Sequence, residues 1–218
     1  MLMTLFMALL DGALVTVQIT AMASVLAIIC AAIAGLARLS RFRPVRMIAV
    51  TYVEFFRGTS ALVQLFWLFF VLPAFGINLP PMVVAVIGLG LHIGAYGAEI
   101  VRSAVTAVPR GQREAAIALN MSPMLAMRRV ILPQATIAML PPFNNLSIEL
   151  LKATSLVSLI TITDLTFKAN VLNMATLKTA EIYSAVLVMY FVISMAITLT
   201  FRMVERRLSV GLGRGMAR

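Results

Sequence analysis

Residues 107–133 read AVPRGQREAAIALNMSPMLAMRRVILP, and this polar stretch between two far more apolar regions decides how the chain is organised. Pro109 and Gly111 punctuate its start. From Gln112 onward the residues favour helix, with Glu114, Ala115, Ala116, Ala118 and Leu119 all good formers. Ala115, Ala116 and Leu119 stand at i, i+1 and i+4 and are expected to make one small apolar face. Asn120 follows, a residue that tolerates the left-handed backbone in which many helices end. Ser122-Pro123 then fits a new start, with Ser at the N-cap and Pro at the first helical position. The stretch predicts a short helix, a sharp turn and a second helix, a compact knob. A plain solvated loop is the alternative. Two small alanines on an exposed helix weigh against it, because they let another backbone come close.

The regions on either side are membrane-like. The chain of 218 residues is 61% hydrophobic and 12% charged, against roughly 45–50% and about 25% in soluble domains. One core of this size cannot hide so much apolar surface. Five runs approach the roughly 20 apolar residues that a span requires: 12–36, 47–72, 82–100, 137–162 and 182–203. Backbone groups in lipid must be satisfied internally, so these runs are expected to be helices. They do not alternate polar with apolar residues, which excludes a β-barrel. The expectation is an all-α membrane protein with a single domain over residues 1–218 and a loop at about 105–133. Residues 1–10 read as an interfacial lead-in without the basic leader of a signal peptide, and nothing reads as cleaved. Residues 164–181 read as a polar outer segment with room for a short helix.

Charge gives the orientation. Arg38, Arg41, Arg43 and Arg46 follow the first run. Arg102, Arg110, Arg113, Arg128 and Arg129 follow the third, and Arg202, Arg206, Arg207, Arg214 and Arg218 the fifth. The opposite side has Lys168 and Lys178 alone. Basic loops face the cytoplasm, so the N-terminus is expected outside and the C-terminus inside. Topology accounts for the net charge of +10, and no nucleic-acid partner is implied. One Cys, Cys30, and one His exclude a disulfide framework and a zinc site built from these ligands alone.

The knob also carries a resemblance. Glu114-Ala115-Ala116, then Asn120, then Val130-Ile131-Leu132-Pro133 resembles the EAA loop of bacterial ABC-importer permeases, with Asn120 where that motif has Gly and Val130 where it usually has Ile. Both departures are mild: Asn suits the same helix-ending geometry and Val keeps an apolar contact. Further stretches are similar to the polar amino-acid (His/Glu/Gln/Arg/opine) branch: Phe56-Arg57-Gly58-Thr59 with Leu62-Val63-Gln64-Leu65-Phe66, Gly94-Ala95-Tyr96-Gly97-Ala98-Glu99-Ile100, and Leu150-Leu151-Lys152 with Thr154-Ser155-Leu156-Val157-Ser158. The region around Ser60 looks somewhat like ectoine/hydroxyectoine permeases.

The resemblance covers roughly residues 8–207 and implies the type I importer permease fold in a bacterial cytoplasmic (inner) membrane. It implies three partners besides lipid: an ABC ATPase, a second permease subunit (homodimer or heterodimer) and an external solute-binding protein. Arg113, Glu114, Ala115, Ala116, Leu119, Asn120 and Met121 would form the coupling segment that seats in the ATPase. No GxxxxGK[ST] phosphate loop occurs in the chain, so no cofactor is expected here and ATP belongs to the partner. The chain is read as a transport subunit, not an enzyme.

Polar groups inside the runs need partners or a wet path, since charge in a bilayer is costly. Glu149 and Lys152 stand at i and i+3 and are expected to pair, either bracing helices or lining the cargo passage. Glu54 with Arg57 and Glu99 with Arg102 repeat that spacing. Arg57 is expected to snorkel to the interface. His92, between Gly90 and Gly94, bonds a neighbouring helix or touches cargo. Asn144 and Asn145 follow Pro141-Pro142, where their amides could serve freed carbonyls or a polar passage. Two rival readings are an ion-coupled transporter, which would be expected to show internal repeats that are absent here, and a membrane scaffold without cargo.

Overall fold

The computed structural model describes residues 2–209, and every element among them is helical. Helix α1 (Leu2–Ala37) is continuous. It joins the expected lead-in to the first span, because one acidic residue, Asp11, does not stop a helix that has no proline. α4 (Pro81–Ala107) lies beside it in parallel: Gly90 faces Leu26, Gly94 faces Cys30, Gly97 faces Ala31 and Gly35 faces Val101. The closeness depends on missing side chains. A Cβ on Gly94 would stand 2.7 Å from Cys30 Cβ, and one on Gly97 2.7 Å from Ala31 Cβ. Small residues of this kind let membrane helices approach backbone to backbone.

The run 47–72 is not one span helix. α2 (Arg43–Gly58) ends at Thr59 and Ser60, both extended, and α3 (Ala61–Phe66) restarts the chain. α3 continues through a π turn (Trp67–Val71) and a 3-10 turn (Leu72–Phe75). The two arms meet at 102°. Such a break leaves carbonyls without helical partners, which hydrocarbon does not tolerate. Gln64 answers this: its Nε2 donates to Phe56 O at 3.0 Å, Thr59 O at 3.4 Å and Thr59 Oγ1 at 2.6 Å. Hydropathy averages over a bend of this kind, which is why the run reads as a single span.

After α4 come α5 (Arg110–Ala118) and α6 (Pro123–Ala126). A π turn (Met127–Ile131) leads into α7 (Leu132–Ala153), which stays helical through Pro141 and Pro142. A 3-10 turn (Thr154–Ile160) precedes a 54° bend into α8 (Leu165–Thr176). This is the short helix anticipated in the outer segment. Asp164 caps it, accepting from Phe167 N at 2.9 Å and Thr166 N at 3.2 Å. α9 (Thr179–Ser209) closes the described chain. Arg214 and Arg218 of the basic tail lie outside the described residues.

Three helices among the described residues are long and apolar enough to cross a membrane: Leu9–Ala37, Pro81–Ala107 and Thr179–Leu208. Each bent pair counted as one span brings the total to five. α4 is the most enclosed and α9 the least, with 56% and 17% of their spanning windows buried. The bundle is therefore organised around α4, and α9 presents most of its surface outward.

Candidate functional site

The knob is built as its residue types dictate. Asn120 has φ +53°, in the left-handed region. Asn120 N–H donates to Ile117 O at 2.9 Å and Met121 N–H to Ala116 O at 3.0 Å. This is the Schellman pairing, which satisfies the last carbonyls of α5. Two residues on, Ser122 Oγ accepts from Leu125 N at 3.3 Å and Pro123 opens α6. One helix thus ends and the next begins within four residues, and both ends are bonded.

The knob is fastened to the bundle from within. Ala116 is buried, while Ala115 and Leu119 point outward. The single face expected from Ala115, Ala116 and Leu119 is therefore divided, because Ala116 sits about 100° from Ala115 around the helix. Arg113 Nη2 donates to Val105 O at 2.9 Å in the last turns of α4, so it braces the knob. Met121 is half-buried and lines a hollow of about 400 Å³ between knob and bundle, together with Met127 and Ile131. Glu114 is exposed. The outermost apolar side chains are Ile117, Leu119 and Met124, at 71%, 75% and 77% exposure. Motif and spacing do not single out Ile117 and Met124; helical phase relative to a buried Ala116 would find the first.

Glu99 and Arg102 pair as expected, with Arg102 Nε to Glu99 Oε2 at 2.9 Å. The structure adds a second guanidinium. Arg38, just past the end of α1, reaches the same Oε2 at 2.6 Å from sixty-one residues away. Spacing along one helix cannot reveal a contact of that range.

His92 on α4 meets Gln64 of α3, with Nδ1 to Oε1 at 3.2 Å. Gln64 Nε2 is committed to carbonyls, so Oε1 accepts and His92 carries its proton on Nδ1. His92 is thus a link in the clamp that closes the α2–α3 bend. Arg57 does not pair with Glu54; its guanidinium stands 5.3 Å above the Tyr96 ring, a cation–π contact.

The expected Glu149–Lys152 pair does not form among the described residues, and both side chains are exposed on α7. Among the described residues Asn144 and Asn145 make no bonds to freed carbonyls, and Asn144 Oδ1 is buried without a partner. Position accounts for Asn145, Glu149 and Lys152, though not for Asn144. Ala138, Pro142, Asn145, Glu149 and Lys152 follow one another at steps of four and three, so they share one face of α7. That stripe points out of the bundle.

Known proteins share this architecture. The family model described as "Binding-protein-dependent transport system inner membrane component" matches residues 23–210. A probable amino-acid ABC transporter permease of Sinorhizobium fredii, y4tF, is 47% identical over 89% of this chain and 84% of its own. The L-cystine transport system permease TcyB of Bacillus subtilis is 39% identical over 90% and 85%. The glutamine transport system permease GlnP of Escherichia coli K12 is 35% identical over 93% of each. A solved amino acid ABC transporter with histidines superposes with a TM-score of 0.87 at 33% identity, over 94% of this chain and 96% of that one. The MetNI methionine ABC transporter, in an inward-facing form, superposes at 0.78 with 19% identity over 92% and 96%, a likeness of fold. A bonded knob between the third and fourth spans, a bundle centred on α4 and agreement along nearly the whole length converge on one assignment: the chain belongs to the binding-protein-dependent transport system inner membrane components, the multi-pass permease subunits of ABC importers.

Proposed function

We propose that this subunit carries a small polar amino acid or related zwitterion across the cytoplasmic membrane, with its N-terminus outside and its knob seated in an ABC ATPase. The observation that supports this best is the knob itself. Ile117, Leu119 and Met124 are an exposed apolar cap on a segment whose central turn, from the end of α5 to the start of α6, is bonded internally. Exposed apolar surface of this kind fits a partner protein better than water. The orientation is supported by the arginines that cluster at the knob end and by the parallel course of α1 and α4, which one intervening pass allows.

Movement of the ATPases would displace the two knobs of a permease pair and rock the helices between outward-open and inward-open forms. The external binding protein would deliver solute to the passage between the two subunits. No step in this scheme makes or breaks a bond in the cargo. The names of the relatives favour an amino acid, L-cystine or glutamine among them, and ectoine belongs in the same screen.

The test is removal of residues 114–120, with Ile117→Asp/Leu119→Asp as a gentler variant. Both are expected to abolish co-purification of the ATPase and ATP-driven uptake, while the permease still reaches the membrane. Uptake that persists without ATPase association would sink the importer reading and favour an ion-coupled carrier. A ligand screen on the cognate binding protein then fixes the cargo.

A further inference from the structure

At the knob end of the bundle, α4 and α7 part to leave a cleft of about 530 Å³. Glu99, Arg102 and Ser103 line it, with Ala138 and Pro142 opposite. Its size falls within the roughly 300–1,000 Å³ typical of small-molecule sites. The charge at its wall is unbalanced: Arg102 in the lining and Arg38 behind it both serve the one Glu99 carboxylate. Arg102 commits Nε and Nη2 to Glu99, and its side chain remains 39% exposed. Among the described residues, its Nη1 and the Ser103 hydroxyl make no hydrogen bond. A cleft whose one carboxylate is already served by two guanidiniums, and which still offers free donors, suits a carboxylate. Its wall on α7 is the lower end of the stripe that continues through Asn145 and Glu149 to Lys152.

We propose that this cleft is an exit station, where Arg102 and Ser103 hold the carboxylate of the cargo after it has passed the α7 stripe and before release on the knob side. The inference rests on the amino-acid reading above. Arg102 would touch the cargo directly, and Arg38 would position Glu99 so that the Arg102 guanidinium stays turned toward the cleft. The alanines on both walls leave room for side chains of different cargo.

Ser103→Cys in a Cys30→Ala background places one thiol in the cleft. The complete importer, nucleotide-free in phosphatidylcholine nanodiscs, is treated with a cationic methanethiosulfonate reagent, and modification is read by mass on the permease chain. L-Glutamine, L-cystine and ectoine are the probes, and wild-type proteoliposomes with the binding protein establish which of them is transported. The transported probe is expected to slow modification of the introduced thiol at least about threefold, and the others not to slow it. Arg46→Cys, exposed on α2 away from the cleft, is expected to react at one rate throughout. Arg102→Gln should raise the concentration for half-protection about tenfold, the equivalent of one charge-assisted hydrogen bond; Arg102→Lys should recover most of it.

Equal slowing by all probes, or by none, overturns the exit station while leaving the importer reading intact. So does slowing produced by phosphatidylglycerol in the nanodisc without any amino acid, which would make the cleft a lipid-headgroup site. A wild-type complex that transports none of the probes takes the proposal down together with the cargo reading beneath it.

Discussion

Asn120 shows how much one residue can decide. Its left-handed backbone turns α5 into α6 within a single step, and the Schellman bonds depend on that turn. For most L-residues this conformation costs about 1–2 kcal/mol, with β-branched ones among the worst placed, whereas Gly adopts it freely. Asn120→Gly is therefore expected to keep ATPase association and uptake. Asn120→Val should loosen the knob and weaken ATPase co-purification on the order of tenfold. Equal binding by both variants would show that the turn is not what presents the cap. Gly94 is decisive for the opposite reason: it has no freedom to gain a side chain. Gly94→Val drives a branched side chain into Cys30 Cβ and the α1 backbone. Overpacking of this kind typically costs about 1–3 kcal/mol, so the thermal midpoint of the purified complex should fall by several degrees. An unchanged midpoint would mean that α1 can slide away from α4 at little cost. Both residues were legible in the sequence, Asn120 from its place after a helix-forming run and Gly94 from its spacing to Gly90. Arg38 was not, because its partner Glu99 is distant in the chain and nothing local marks the contact.

At the scale of elements, the α2–α3 bend is the main departure from hydropathy. Apolar content marks the run at 47–72 as a span candidate but carries no information on direction. The break falls at Gly58, Thr59 and Ser60, each poor in a helix interior, a signal that an apolar average passes over. Gln64, four residues past Ser60, serves the freed carbonyls, and nothing local in the sequence marks it for that role. Gln64 is 8% exposed and holds both α2 and His92. Gln64→Leu keeps the bulk and removes every one of these bonds, leaving Phe56 O and Thr59 O unserved. The expected loss is about 1–3 kcal/mol, read as a lower thermal midpoint and faster proteolysis near residue 59. Gln64→Glu, which keeps the acceptor and loses the donor, should be no better. A Leu variant as stable as wild type would show that water or lipid headgroups reach the bend. The knob lies at the other extreme. Its two helices, its turn at Asn120 and the Ser122 N-cap are all visible in the sequence, because each depends on local backbone chemistry. What was not visible was which side faces the bundle, a matter of packing against the last turns of α4.

For the whole molecule, the unpaired charges on α7 say more than a pair would have. Glu149 and Lys152 were expected to neutralise each other, yet both stand exposed on a stripe that leaves the bundle. Charged side chains on a span turn toward protein or water, not hydrocarbon. A second permease subunit, or the aqueous passage between the two, would supply that cover under the importer reading proposed above. The sequence could show that the two residues share a helix face. It could not show that the two side chains stand exposed and apart. Two arrangements now predict different mutant arithmetic. An intrachain pair would make Glu149→Gln deleterious by leaving Lys152 alone, and adding Lys152→Gln would restore part of the activity. Separate contacts across the passage make the two losses multiply, because residues without a shared interaction act independently. Uptake at saturating binding protein is expected to fall on the order of tenfold for each single change and about a hundredfold for the double variant. ATPase association should remain intact in all three. Recovery in the double variant would put the pair back inside one chain and remove the argument that α7 faces the passage.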